Sequence, residues 1–403
     1  MANDHTPPQN PSIVSLTVQP TQLQAAFNPV LVTLHDEWPT TGTSYFVRVY
    51  VINTRDVVPT PSKTGRLVAT LIRPAIGHEA AFDLAGVLQG ELDPPQPVAA
   101  AGRDAAAYVG YYYQYGTVTY DVAGVQVLTL VSESAVCWAL RAALPLSGTG
   151  DLTNSFGRAY DEATPETAGA LPLTNRPTVA EIDRASNVLL PVFFCREGTQ
   201  GLTQKLYVSA TLTYADGSTE DVTGAKISAN AGGVYLLDAS PATLVFDTVF
   251  RNALLRIDAQ VYASFEALGE GYPLTVARTF LMRTAPLRQP LEVRFVNRRG
   301  GWDALSFTRS REGQLKTKPV LYNSLRGERV LRFDADSEET LFTPWLPASH
   351  EPWLRDLLLS PYVTVDGAYV KLKAHTLNRN NDDDLVSLTL TYQPEYDENV
   401  LTM

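Results

Sequence analysis

Apolar residues recur at every second position through most of the chain. Leu255, Ile257, Ala259 and Val261 alternate with Arg256, Asp258, Gln260 and Tyr262, which is the period of a strand with one buried face. Similar strand patterns cover Ile13 to Val18, Val30 to Leu34, Arg66 to Ile72, Tyr108 to Tyr120, Val125 to Leu140, Tyr207 to Tyr214, Thr219 to Val222, Thr275 to Met282 and Leu385 to Tyr392. Tyr45 to Ile52 is largely apolar on both faces and Val188 to Cys195 is a continuous apolar run, so both predict central strands. Asp216-Gly217 and Asp366-Gly367 sit between paired runs and predict hairpins, the second of type I′.

Helical signals are few. Asp83 reads as an N-cap before Leu84, Val87 and Leu88, with Gly90 as the stop. Thr178 and Glu181 fit a capping box for a brief helix. Ser349 caps a helix over 349–359 that puts Trp353, Leu354, Leu357 and Leu358 on one face, and Ser360-Pro361 ends it. The fold class is therefore mostly β, with several β-sandwich-like domains and a few short helices. The boundaries predict an arm over 1–11, a first sandwich over 12–144 and a Pro/Gly-rich connection over 145–187. A second sandwich follows over 188–287, then a C-terminal β domain over 288–398. For 403 residues, two or three domains match the usual size of roughly 150 residues each.

The stretch Leu291 to Phe307, LEVRFVNRRGGWDALSF, organises the last domain. Its alternation breaks at Asn297 to Gly301, where two glycines allow reversal. A hairpin with a basic tip and an aromatic root follows, and Arg298, Arg299 and Trp302 become candidates for an interaction surface. Tyr111, Tyr113 and Tyr115 share one strand face and Tyr112 takes the other. They form either a core with a cross-strand ladder or a contact surface for protein or glycan. Asn378 to Asp384 reads as a polar loop, and exposed strand edges invite pairing between chains.

Composition narrows the function. Hydrophobic residues make up 45% and charged residues 19%, enough to bury real cores. The net charge of −11 disfavours nucleic acid and anionic membranes as partners. No apolar run approaches the ~20 residues of a membrane span, and the N-terminus lacks a secretory pattern. Cys137 and Cys195 make no metal spacing and at most one long-range bridge. His78-Glu79 and His350-Glu351 begin like a zinc-protease motif, but Phe82 and Leu354 stand where a second histidine would be needed. No cofactor or metal is expected and no catalytic residue is assigned. Asp334, Asp336 and Glu338 alternate on one strand, and Asp382, Asp383 and Asp384 share a turn. These read as an acidic rim, with a Ca²⁺ loop or an acid/base pair as the sharper alternatives. Charge is polarised: Arg288 to Arg332 holds eleven Lys/Arg against four Asp/Glu, and Phe333 to Met403 holds four against thirteen. The halves either neutralise each other within one fold or dock head to tail between subunits.

Three stretches, in this order, resemble a largely uncharacterised family of structural proteins from tailed bacteriophages and prophages. They are AFNPVLVTL at Ala26 to Leu34 with the following SYFVRVYVIN, AFDLAGVLQG at Ala81 to Gly90, and FVNRRGGWDALSF at Phe295 to Phe307 with the later WLRDLLLSP. The resemblance covers much of the first and third domains and implies a virion protein, made in the host cytoplasm. Its place would be the tail tip, the baseplate or the point of fibre attachment. It implies other tail proteins as partners and a homo-oligomer, ring or trimer. A receptor- or glycan-binding module that meets a host surface glycan or protein is the alternative, and a surface-polysaccharide hydrolase is a more distant one.

Overall fold

A computed structural model describes residues 14–20, 23–37, 43–52, 65–95, 101–144, 170–194, 204–229, 233–265, 271–284, 287, 290–324, 327–380 and 382–394. The expected arm over 1–11, the connection from 145 to 169, and Cys195 lie outside them. The protein is mostly β, with β-sandwich-like domains and a few short helices. It divides into two compact units, one of Met1–Pro94 with Ala105–Ala159, the other of Pro95–Asp104 with Tyr160–Met403.

The first unit is a two-sheet sandwich. Val14–Val18, Leu31–Asp36 and Glu79–Asp83 form one sheet. Leu23–Ala25, Cys137–Leu140, Tyr108–Tyr120, Ser44–Ile52 and Arg66–Pro74 form the other, with Gln126–Glu133 beside Tyr108–Tyr120. Val32, Leu34 and Phe82 from the first sheet meet Tyr45, Val47 and Val49 from the second in one core. The helix Ala85–Gly90 begins one residue later than Asp83 suggests, yet Asp83 still serves its start: its carboxylate accepts from the amides of Ala85 and Val30, both at 3.0 Å.

The second unit opens with another sandwich. One sheet runs Ala170–Pro172, Leu189–Phe194, Gly233–Asp238, Gly102–Arg103. The other runs Val179–Ile182, Arg278–Met282, Leu254–Phe265, Gln204–Tyr214, Thr219–Thr223. Two expectations change here. Ala170–Pro172 and Val179–Ile182, read above as part of a connection, are strands of this sandwich. The capping box at Thr178 and Glu181 makes no helix: Ala180 and Ile182 are buried while Val179 and Glu181 are exposed. Parallel pairing with Arg278–Met282 overrides the local helical signal, because tertiary pairing outweighs propensity over four residues.

The C-terminal domain is a closed barrel rather than an open sheet. Trp302–Ser324 pairs with Pro290–Val296, which pairs with Val363–Val365, then Ala368–Asn380, then Leu385–Pro394. Gly327–Phe342 closes the circle by pairing with both Leu385–Pro394 and Trp302–Ser324. Closure removes the edges that the alternation alone would leave open. The helix Glu351–Leu358 fills the barrel with Trp353, Leu354 and Leu357 beside Phe295, Phe307 and Leu390. Ser349 lies inside a preceding 3₁₀ turn, Ala348–His350, and makes no side-chain cap. Asp366 and Gly367 both have positive φ, 48° and 84°, as a type I′ turn requires. The expected polar loop is shorter than predicted, since the strand continues to Asn380.

Candidate functional site

The most unusual chemistry lies where the second sandwich meets the barrel. Asn297 makes the turn of the hairpin: its side-chain carbonyl accepts from the amide of Arg299 at 2.9 Å, and Gly300 takes φ 87°. The chain returns as Trp302, Asp303 and Ala304, all buried. Asp303 stands opposite Phe295 in register and so shares its face. Trp302 takes the other face, against Val296 of the barrel and Leu189 and Leu236 of the sandwich. Three consecutive residues are buried because this strand is covered on both sides.

Asp303 is 0% exposed and every oxygen has donors. Thr174 Oγ1 donates to both oxygens at 2.8 Å, Asn297 Nδ2 donates at 2.8 Å and Trp353 Nε1 at 2.9 Å. Arg176, also buried, donates to the carbonyl of Ala304 and lies 4.6 Å from the Trp353 ring centre, a cation–π distance. Burial pushes the Asp303 carboxyl up, and Arg176, Asn297, Thr174 and Trp353 oppose it. Burial pushes the Arg176 guanidinium down to about 10, with Asp303 opposing. The opposite charge of each partly offsets the burial of the other.

A second acidic residue completes the arrangement. Asp356 of the helix is 0% exposed, accepts from Asn175 Nδ2 at 2.6 Å and pairs with Arg298. Arg299 donates to Asn175 at 2.8 Å. The segment Leu173 to Arg176 is thus clasped by the hairpin turn, and Asn297 also donates to the carbonyl of Leu173 at 2.7 Å. A recess beside it is lined by Asp183, Ser186, Arg283 and Ser306, and the two serine hydroxyls lie 2.8 Å apart. Its free volume of about 20 Å³ holds about one water molecule. The arrangement fastens elements together, and the carboxylates of Asp303 and Asp356 are committed to it.

The sequence-derived candidates fall into two groups. Arg298, Arg299 and Trp302 belong to this junction and are not a free surface: the arginines are committed to Asp356 and Asn175, and Trp302 is 1% exposed. Tyr111, Tyr113 and Tyr115 lie in the first unit's core. They are interior because their shared face meets the opposing sheet, and burial together with the Cys137 thiol pushes the Tyr111 hydroxyl well above the ordinary phenol range. Tyr112 takes the other face and stacks on Tyr50, with ring centres 4.9 Å apart and planes at 3°. Asp303, Asp356, Thr174 and Arg176 escaped sequence reasoning. The one signal was a polar triplet, Thr174-Asn175-Arg176, wedged between Leu173 and Pro177.

The remaining acidic candidates are placed as follows. Asp334 and Asp336 lie on the strand Gly327–Phe342 directly opposite Lys318 and Lys316, while Glu339 pairs with Arg309 at 2.8 Å. The basic and acidic stretches therefore pair along one ladder in backbone register, with an ion pair at Arg309 and Glu339. Asp382, Asp383 and Asp384 form an exposed turn in which Asn380 donates to Asp383 at 2.8 Å. Among the described residues no group of three or more His, Cys, Asp or Glu is placed to hold a metal ion, Cys137 is buried, and no helix is long and apolar enough to cross a membrane.

His350, 2% exposed, packs on Trp353 with ring centres 6.2 Å apart. Burial lowers its pKa from 6.5, helped by the nearby Arg176 and Arg283. The unfolded chain then binds more protons than the folded one in this window, so stability falls as pH drops below about 6.5. The urea midpoint of the C-terminal unit should decrease between about pH 7 and pH 5, and His350→Gln should flatten that step. A wild-type midpoint that rises on acidification through this range is the opposite result.

No protein-family model matches the chain, and no curated protein matches it. Among solved structures, the crystal structure of CBD12 from CALX1.2 aligns at 11% identity and a TM-score of 0.17, over 62% of this chain and 80% of that one. A likeness that slight carries no argument.

Proposed function

We propose that the chain is a structural protein of a tailed-bacteriophage particle, set in the tail tip, the baseplate or the point of fibre attachment and assembling with other tail proteins. The observation that carries this reading is the junction around Asp303. A sandwich and a barrel are fastened there by hydrogen bonds to the buried Asp303 carboxylate and by Arg176 bonded to the Ala304 carbonyl, with space for about one water. A part built this way holds its modules at a set spacing and passes load between them; it does not turn over a small molecule. The ordered motifs in the first unit and the barrel support the same reading.

The test is direct. Tailed particles released by a host carrying the gene are purified and labelled with gold-conjugated antibody against the chain. Gold confined to the tail end is the expected result. Purified particles in which neither label nor peptides of the chain can be found would overturn the proposal.

A further inference from the structure

The strand Gln126–Glu133 is an open edge of the first unit. Among the described residues Tyr108–Tyr120 is the one strand it pairs with. All its residues are exposed except Leu128, which is half-buried. Val127, Leu130 and Val131 are 43%, 52% and 44% exposed, and an apolar edge of this kind is a template for another chain. The edge on the other side of the same sheet, Arg66–Pro74, carries Arg66, Arg73 and Pro74, the charges and proline that ordinarily blunt an edge. From Gln126 to Ser132 there is neither a charge nor a proline.

The backbone shows which groups point outward. The Asp121 amide donates to the carbonyl of Val125 at 2.9 Å, and Thr119 Oγ1 donates to the carbonyl of Val127 at 3.5 Å. A Cβ at Gly116 would collide with the carbonyl oxygen of Thr129. These three carbonyls therefore face Tyr108–Tyr120. Direction alternates along a strand, so the amides and carbonyls of Leu128 and Leu130 face away from it. The extra residue of this ladder, Val131, lies towards the far end and leaves Gln126 to Leu130 regular. About Thr129 the side chains read the same in both directions: Val127, Leu128, Thr129, Leu130, Val131.

We infer that Gln126–Glu133 pairs edge to edge with the same strand of a second copy, antiparallel, about a two-fold axis at Thr129. Self-complementarity selects that occupant. Leu128 falls opposite Leu130 of the second copy, and because both carry outward groups each such pair exchanges two hydrogen bonds. Thr129 falls opposite itself at the closer, non-hydrogen-bonded spacing, where threonine pairs are favourable. The leucines of both copies gather on one face of the joined strands. Charge fits as well: Glu133 falls opposite Val125, so two chains of net charge −11 meet on an uncharged segment. Each copy occupies the other's edge, so association closes at two. The inference needs only two copies and goes beyond the virion reading without resting on it.

The experiment measures the mass of the purified full chain by analytical ultracentrifugation over a concentration series. The wild type should reach a dimer and stop there. Thr129 is exposed, so a charge at this position spares the fold. Thr129→Lys and Thr129→Glu each set like charges face to face across the axis, and each alone should weaken dimerisation about fivefold. Mixing the two variants should restore it. Leu128→Pro removes an outward amide and leaves the ladder to Tyr108–Tyr120 intact; this variant should be monomeric with an unchanged circular dichroism spectrum. A wild type that is monomeric at every concentration, or one that grows beyond a dimer, overturns the inference. So does a folded Leu128→Pro chain that dimerises as well as the wild type. Single charge variants that still dimerise at full strength, or a mixture that fails to restore what they lose, overturn the axis at Thr129. Gold-labelled particles together with a monomeric wild type would sink this inference and leave the virion reading standing.

Discussion

Replacing Asp303 with alanine is expected to destabilise the C-terminal unit by about 3–5 kcal/mol, since it leaves three buried donors without an acceptor at roughly 1–3 kcal/mol each. Thr174, Asn297 and Trp353 would lose their acceptor, and Arg176 would lose an opposite charge that offsets its burial. Asp303→Asn keeps the shape but not the charge and should fall between alanine and wild type. Urea unfolding followed by tryptophan fluorescence reads this, since Trp353 touches the carboxylate directly. For a unit of this size each kcal/mol shifts the melting temperature by roughly 2–4 °C, so a shift of about 10 °C is expected. An alanine variant within about 1 kcal/mol of wild type would show that the cluster is a passenger, not the fastening.

Gly301→Val tests the same junction by crowding instead of charge. A Cβ at Gly301 would stand 2.6 Å from Cβ of Pro191 and would also meet the carbonyl oxygen of Leu173. Both obstacles are rigid, one a ring and the other backbone on the far side of the junction. Overpacking of this kind costs about 1–3 kcal/mol, and valine at a position where even alanine collides should reach the top of that range. Gly217→Ala is the control. Its φ is 83° but nothing lies within 4 Å of its added Cβ, so only backbone strain of about 1–2 kcal/mol applies. Equal losses at the two glycines would mean that the close approach at Gly301 has no energetic weight.

The strands were legible because alternation is a local property. Tyr108–Tyr120 and the Asp366-Gly367 turn stand where the pattern puts them. What sets a strand's partner is not local. Val179–Ile182 carries a capping-box sequence and becomes a strand through Arg278–Met282, about a hundred residues away. The same blindness hid the junction. Arg298 and Arg299 read as a basic tip because sequence shows their charge but not Asp356, which neutralises Arg298 from the barrel helix. Nothing in the sequence marks Asp303, because only the fold reveals that its strand is covered on both faces. The tyrosines were ambiguous for a related reason: alternation assigns Tyr111, Tyr113 and Tyr115 to one face without saying whether that face meets a sheet or water.

Ring closure in the last domain sets the order in which it can form during synthesis. Leu385–Pro394 is the stave that joins Gly327–Phe342 to Ala368–Asn380, so nothing emerging earlier from the ribosome can complete the hoop. At ~5–20 residues per second, the opening hairpin waits several seconds with its flanks bare. A message cut short before codon 385 would make that interval permanent, leaving a product with two unsealed seams and a strong tendency to stick to its own kind.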